Sequence, residues 1–99
     1  MSLAADFRPE AVADVLEARR WYEEQEPGLG DAFADSLEEI VDRIRSMPRM
    51  YQEVLPSVRR GKLRKFPYLV YYRVLADRFE ILAVLHASRD PKLWRDRTN

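Results

Sequence analysis

Arg59, Arg60, Lys62, Arg64 and Lys65 place five cations in the seven residues RRGKLRK. On an extended strand, alternation sends Arg60, Lys62 and Arg64 to one face and Arg59 and Lys65 to the other, and a bulge at Gly61 would change that division. Such a face attracts phosphates or acidic peptides, with an affinity that falls as salt rises. Charge also protects an edge strand from aggregation, but one or two residues suffice for that. The density of charge here points to binding. Tyr68, Tyr71 and Tyr72 follow closely. They could stack on bases, although tyrosines in strands more often pack across strands.

The chain has a single histidine, His86, in the stretch LHASRDP. A His-pair metal site or a two-histidine relay is therefore excluded. His86 could act as a general acid or base if Arg73 and Arg89 neighbour it on a concave face. A lone histidine at a strand end is more often structural. Arg73 lies inside an apolar strand, so it must be paired or must emerge on an open face. There is no Gly-rich phosphate loop and no evident serine or cysteine nucleophile. The catalytic residues stay unassigned, with His86, Arg73 and Arg89 as candidates, and neither a metal nor a cofactor is expected.

Ninety-nine residues suit one domain, spanning 1–99. Hydrophobic residues make up 46% and the formal net charge is zero, which predicts a folded chain. The zero hides a split: residues 1–47 carry twelve acids and five bases, residues 48–99 five acids and twelve bases. That asymmetry hints at an acidic partner, or at two halves that face each other. The chain has no cysteine, which fits a reducing cytoplasm. The start, MSLAADFRPEA, lacks the apolar run of a signal peptide, and no stretch is long enough to span a membrane.

These side chains need elements to hold them. Leu3, Ala5 and Phe7 alternate as a short first strand. Pro9 opens a helix whose inner face is Ala11, Val15, Ala18 and Tyr22. Pro27, Gly28 and Gly30 make a tight loop. Phe33, Leu37, Ile40, Ile44 and Met47 form the stripe of a second helix, which Pro48 stops. Val58 to Phe66, Tyr68 to Leu75 and Phe79 to Ala87 read as strands, the last buried on both faces through ILAVL. Asp90 and Pro91 cap a short terminal turn in which Trp94 plugs the sheet end. The predicted fold is α+β and two-layered: β-α-α-β-β-β, an antiparallel sheet with a helical hairpin on one face and the other face open.

The stretches WYEEQEPGLGDAF, VRRGKLRKFPYLVYYRV and ILAVLHASRDPKLW, with a helix ending at MP between the first two, together resemble the RelE/ParE superfamily of toxins. The resemblance covers nearly the whole chain in the same order. It implies the same small fold and the role of toxin in a type II toxin–antitoxin module, as in ParE-like plasmid stabilisation proteins. It also implies an acidic, partly disordered antitoxin that wraps and neutralises the toxin. RelE-like members cleave messenger RNA on the ribosome, with basic residues on the sheet and a terminal acid–base group. ParE-like members are associated with poisoning DNA gyrase.

Arg59, Arg60, Lys62 and Arg64 fall where the ribonuclease members keep lysines and arginines. Leu69 stands where many of them carry an arginine, and HASRDP is not their usual ending. PYLVYY and RDPKLW look closer to the ParE side. The resemblance thus implies inhibition of gyrase first. A ribosome-dependent endoribonuclease is the second reading, and a non-toxic interaction module with decayed activity the third. Antitoxin or target would meet Arg59, Arg60, Lys62, Arg64 and Lys65, and a homodimer is left open.

Overall fold

A computed structural model describes residues 3–98. The first strand, β1, is Ala4–Phe7. Pro9 supplies the fixed φ that suits a first helical turn, and α1 runs Pro9–Gln25. Ala11 and Ala18 are buried, with Val15 and Tyr22 partly buried beside them. These small residues let the helix lie close on the sheet. The second helix, α2, runs Leu29–Ser46. Gly28, at its entry, has φ +91°, a conformation that glycine adopts without strain. Gly30 belongs to the helix rather than to the loop. A Cβ there would lie 2.8 Å from the Arg19 carbonyl oxygen, so the hairpin needs glycine where the helices touch.

Phe33, Leu37, Ile40 and Ile44 fill the core as their spacing predicts, but Met47 does not. The helix ends at Ser46, and Met47 is 58% exposed just beyond it.

The second half of the chain forms β2 (Gln52–Leu55), β3 (Val58–Lys62), β4 (Tyr68–Val74) and β5 (Arg78–His86). The sheet order is β1-β5-β4-β3-β2. The hairpins from β2 to β5 are antiparallel, while β1 joins β5 in parallel. The short strand β2 has no counterpart in the sequence reading, because four residues between two prolines give too little pattern. The strand expected over Val58 to Phe66 stops at Lys62, and Leu63 and Phe66 turn into the core.

Gly61 is not a bulge, since Arg60, Gly61 and Lys62 pair regularly with Tyr71, Val70 and Leu69. It is needed for close approach: a Cβ would lie 2.8 Å from Ile40 Cδ1 and 3.1 Å from the Tyr51 ring. The irregularities fall instead between Glu53 and Leu55 and between Tyr71 and Tyr72.

The two helices cover one face of the sheet, where Phe33, Ile44, Val70, Tyr72, Phe79 and Ile81 make the main core. The other face is not fully open. A short helix, α3 (Lys92–Arg95), folds back so that Trp94 stacks on Tyr71 at 4.4 Å. Val58, Leu82, Ala83 and Leu85 complete this second cluster. The plug predicted for Trp94 therefore covers the sheet face and narrows the free surface to its β3 side.

Charge is shared between the halves as well. Arg97 binds Asp14 at 2.6 Å, Arg78 lies 3.2 Å from Asp6, and Arg64 lies 3.3 Å from Glu39. Among the described residues no helix is long and apolar enough to cross a membrane.

Candidate functional site

The basic strand divides its cations among different tasks. Val58 belongs to the cluster under Trp94, and alternation places Arg60 and Lys62 on that same face. Both are exposed. Arg60 lies across from Gln52 and Tyr71, and Lys62 across from Leu69. Among the described residues the Lys62 ammonium donates only to the carbonyl of Leu63, at 3.3 Å.

Arg59 points to the helix side. Its Nη1 donates to the carbonyls of Tyr51 (2.7 Å) and Arg49 (3.1 Å) and pins the segment that enters β2. Arg64 lies beyond the strand, so the predicted row of Arg60, Lys62 and Arg64 is broken. Ser36 donates to the Arg64 carbonyl at 2.6 Å and Glu39 meets its guanidinium. Both charges of that pair are largely exposed, so the contact leaves Arg64 accessible. Lys65 is exposed in a left-handed turn, φ 69°. The freest cations are Arg60 and Lys62, with Arg64 and Lys65 around the corner.

Arg73 and His86 do not meet. Arg73 pairs with Glu80 across the ladder, with Nε and Nη2 at 2.9 and 2.8 Å from Glu80 Oε1. Arg8 approaches the same carboxylate at 3.9 Å. His86 lies across from Tyr68, at the other end of β4 and β5. Phe79, Ile81 and Val84 face the helices, so alternation and the irregular step between them put Glu80 and Arg73 on the far face and His86 on the helix face. The grouping of His86, Arg73 and Arg89 on one concave face is therefore corrected: only His86 and Arg89 share a site.

That site is a cleft of about 510 Å³ between α1 and the end of β5. Glu17, Trp21, Tyr22, Tyr68, His86 and Arg89 line it, together with Asp14 and Ser88. His86 Nδ1 lies 3.1 Å from the backbone N–H of Ser88 and 2.7 Å from the Ser88 hydroxyl, so this turn holds the ring in place. The imidazole also meets the Tyr68 ring edge-on at 5.4 Å. Burial raises the pKa of the Tyr68 hydroxyl, Tyr22 and Glu17 add to the rise, and Arg89 opposes it. The tyrosine therefore stays a neutral donor. An imidazole, a phenol and a guanidinium over an aromatic floor can orient a polar group and hold an apolar one.

Glu17 and Trp21 were absent from the sequence-derived candidates. Their signal was faint: Trp21 lies one residue off the helix's core stripe and is 53% exposed.

Comparison with known proteins bears on the family and the fold of the chain. The family profile described as ParE toxin of type II toxin-antitoxin system, parDE, matches residues 5–91. No curated protein matches the sequence. A solved chain of the chromosomal ParDE TA system from P. aeruginosa is 16% identical with a TM-score of 0.63, covering 86% of this chain and 96% of that one. A mutant E. coli toxin RelE in complex with an antitoxin RelBc peptide is 18% identical with a TM-score of 0.65, covering 97% and 94%. A free form of the RelE mutant is 16% identical, also at 0.65, covering 99% and 96%. At these identities the solved structures speak for the shared fold, whereas the family profile spans most of the sequence. The chain belongs to the ParE toxin family and is the toxin component of a type II toxin–antitoxin module.

Proposed function

We propose that this toxin acts in the cytoplasm by binding a type II topoisomerase such as DNA gyrase, rather than by cutting RNA. An acidic antitoxin neutralises it by covering the corner formed by Arg60 and Lys62, with Arg64 and Lys65 alongside. One observation carries the choice of target class. The single histidine and the exposed cations of β3 lie on opposite faces of the sheet. An RNA strand held by Arg60 and Lys62 would have its backbone far from the imidazole. Carboxylates laid on those cations would form charge-assisted hydrogen bonds, and long-range attraction would speed capture.

Purified toxin added to gyrase and plasmid should reduce supercoiling or trap a cleaved complex. Unchanged supercoiling with no trapped complex would remove this mechanism. The alternative, a ribosome-dependent endoribonuclease, draws support from His86 and Arg89 sharing a cleft with Tyr68. Translating ribosomes would then yield cut messenger, and His86→Ala would abolish the cuts. Normal growth on inducing the chain alone would instead favour a module whose toxicity has decayed.

A further inference from the structure

The cleft between α1 and the end of β5 holds two charged groups that the fold does not use. Its other acid, Asp14, is engaged: Arg97 Nη1 and the Val84 N–H both donate to Asp14 Oδ2, at 2.6 and 3.0 Å. Glu17 and Arg89 differ from it. Both are exposed, and neither forms an ion pair with another described residue. They still act on one group, because Glu17 reinforces and Arg89 opposes the rise that burial gives the Tyr68 pKa.

An aromatic wall runs through the cleft. Trp21, Tyr22, Tyr68 and His86 succeed one another edge to face, with ring centroids 5.1, 5.9 and 5.4 Å apart. The core holds this wall from behind: Tyr22 stacks on Phe33 at 5.5 Å, and Tyr68 meets the same ring at 5.0 Å. Trp21 ends the wall with half its surface exposed, so it can take a flat ring. Glu17 lies four residues before Trp21 on α1, so carboxylate and indole rise side by side from one helix face. Arg89 comes from the turn after β5, on the other side of the cleft.

These groups define a ligand. A flat ring system stacks on the indole. The carboxylate beside it only accepts hydrogen bonds, and two adjacent donors satisfy both of its oxygens. The guanidinium across the cleft requires an anion, and a phosphate matches its fork. Guanine presents N1–H and its N2 amino group side by side. Adenine and cytosine set a ring acceptor next to their amino groups, which a carboxylate repels. Uracil offers one N–H between two carbonyls. A volume of about 510 Å³ falls within the roughly 300–1,000 Å³ that holds one drug-sized ligand.

We propose that this cleft binds a free guanine mononucleotide, with the base stacked on Trp21, its Watson–Crick edge on Glu17 and its phosphate on Arg89. The site lies apart from the cationic corner, so the inference does not depend on which target the toxin acts on.

Isothermal titration calorimetry of the full-length toxin with GMP, AMP and guanosine tests it. GMP should bind about tenfold more tightly than AMP, the discrimination that one bidentate pair gives. Glu17→Gln should erase that preference and leave AMP binding in place, because the amide replaces one acceptor with a donor. Trp21→Ala should weaken GMP and AMP alike by about tenfold, as loss of a stacked ring does. Arg89→Ala should bring GMP down to the affinity of guanosine. All three side chains are exposed, so the core is intact in each variant. Absence of GMP binding, equal affinity for GMP and AMP, or a preference that survives Glu17→Gln would overturn the proposal. A single-stranded oligoribonucleotide with one guanine that binds more tightly than GMP would also overturn it, assigning the cleft to a strand.

Discussion

Tyr72 shows at the residue scale how one buried side chain couples stability to pH. It is fully buried, and its hydroxyl donates to the Pro48 carbonyl at 2.7 Å, tying β4 to the end of α2. Burial pushes its pKa up to about 12, and the nearby Arg59 only partly opposes this. The unfolded chain releases this proton near the ordinary value of about 10. Stability from the neutral phenol is thus fully present below pH about 10 and is lost as pH rises towards about 12. Tyr72→Phe should cost about 1–2 kcal/mol at pH 8, because it leaves the Pro48 carbonyl without its donor. The gap between parent and variant should close across that alkaline window. Denaturant unfolding of both proteins at a series of pH values checks this, and a gap that stays constant would contradict it.

At the scale of elements, the helical hairpin depends on a glycine that sequence reading assigns to a loop. Glu23 of α1 accepts hydrogen bonds from the N–H groups of Gly28 and Gly30, at 3.0–3.2 Å. One side chain of α1 thereby caps the start of α2, where free N–H groups carry partial positive charge. Gly30→Ala would drive a methyl into the Arg19 carbonyl and the Glu23 carboxylate together. Backbone cannot yield as a flexible side chain can, so the helices must part. A loss of about 1–3 kcal/mol is expected, the usual cost of overpacking, read as a lower thermal midpoint. A neutral or stabilising result would mean that the hairpin contact is looser than the geometry indicates.

For the whole molecule, the question is how much of the charge split serves the fold and how much is left for a partner. The fold spends some of it internally: Asp14, Asp6 and Glu39 of the first half meet Arg97, Arg78 and Arg64 of the second. Arg59 is drawn inward by carbonyls, and Glu80 holds Arg73. Arg60 and Lys62 remain on the surface, beside the apolar cluster that Trp94 closes. Reversing both to glutamate should slow antitoxin association about tenfold at low salt and flatten its salt dependence, because steering scales with accessible charge. Stopped-flow association rates at several salt concentrations measure this. An unchanged rate would place the antitoxin elsewhere.

The sequence by itself determined the family and the order of the elements, except for the short strand β2. Periodicity is a local property, and the stripes of Phe33, Leu37, Ile40 and Ile44 and the run ILAVL declare their burial without help from distant residues. It also marked the dense cations of β3. Only the tertiary structure decided which of those cations stay available. That depends on where the strand ends, on which carbonyls lie near Arg59, and on the return of Trp94 across the sheet. It alone separated Arg73 from His86, since the ladder register sets the distance between positions on neighbouring strands. It alone brought Trp21 and Glu17 of α1 to His86, because contacts between residues far apart in the chain exist only once helix and sheet have packed.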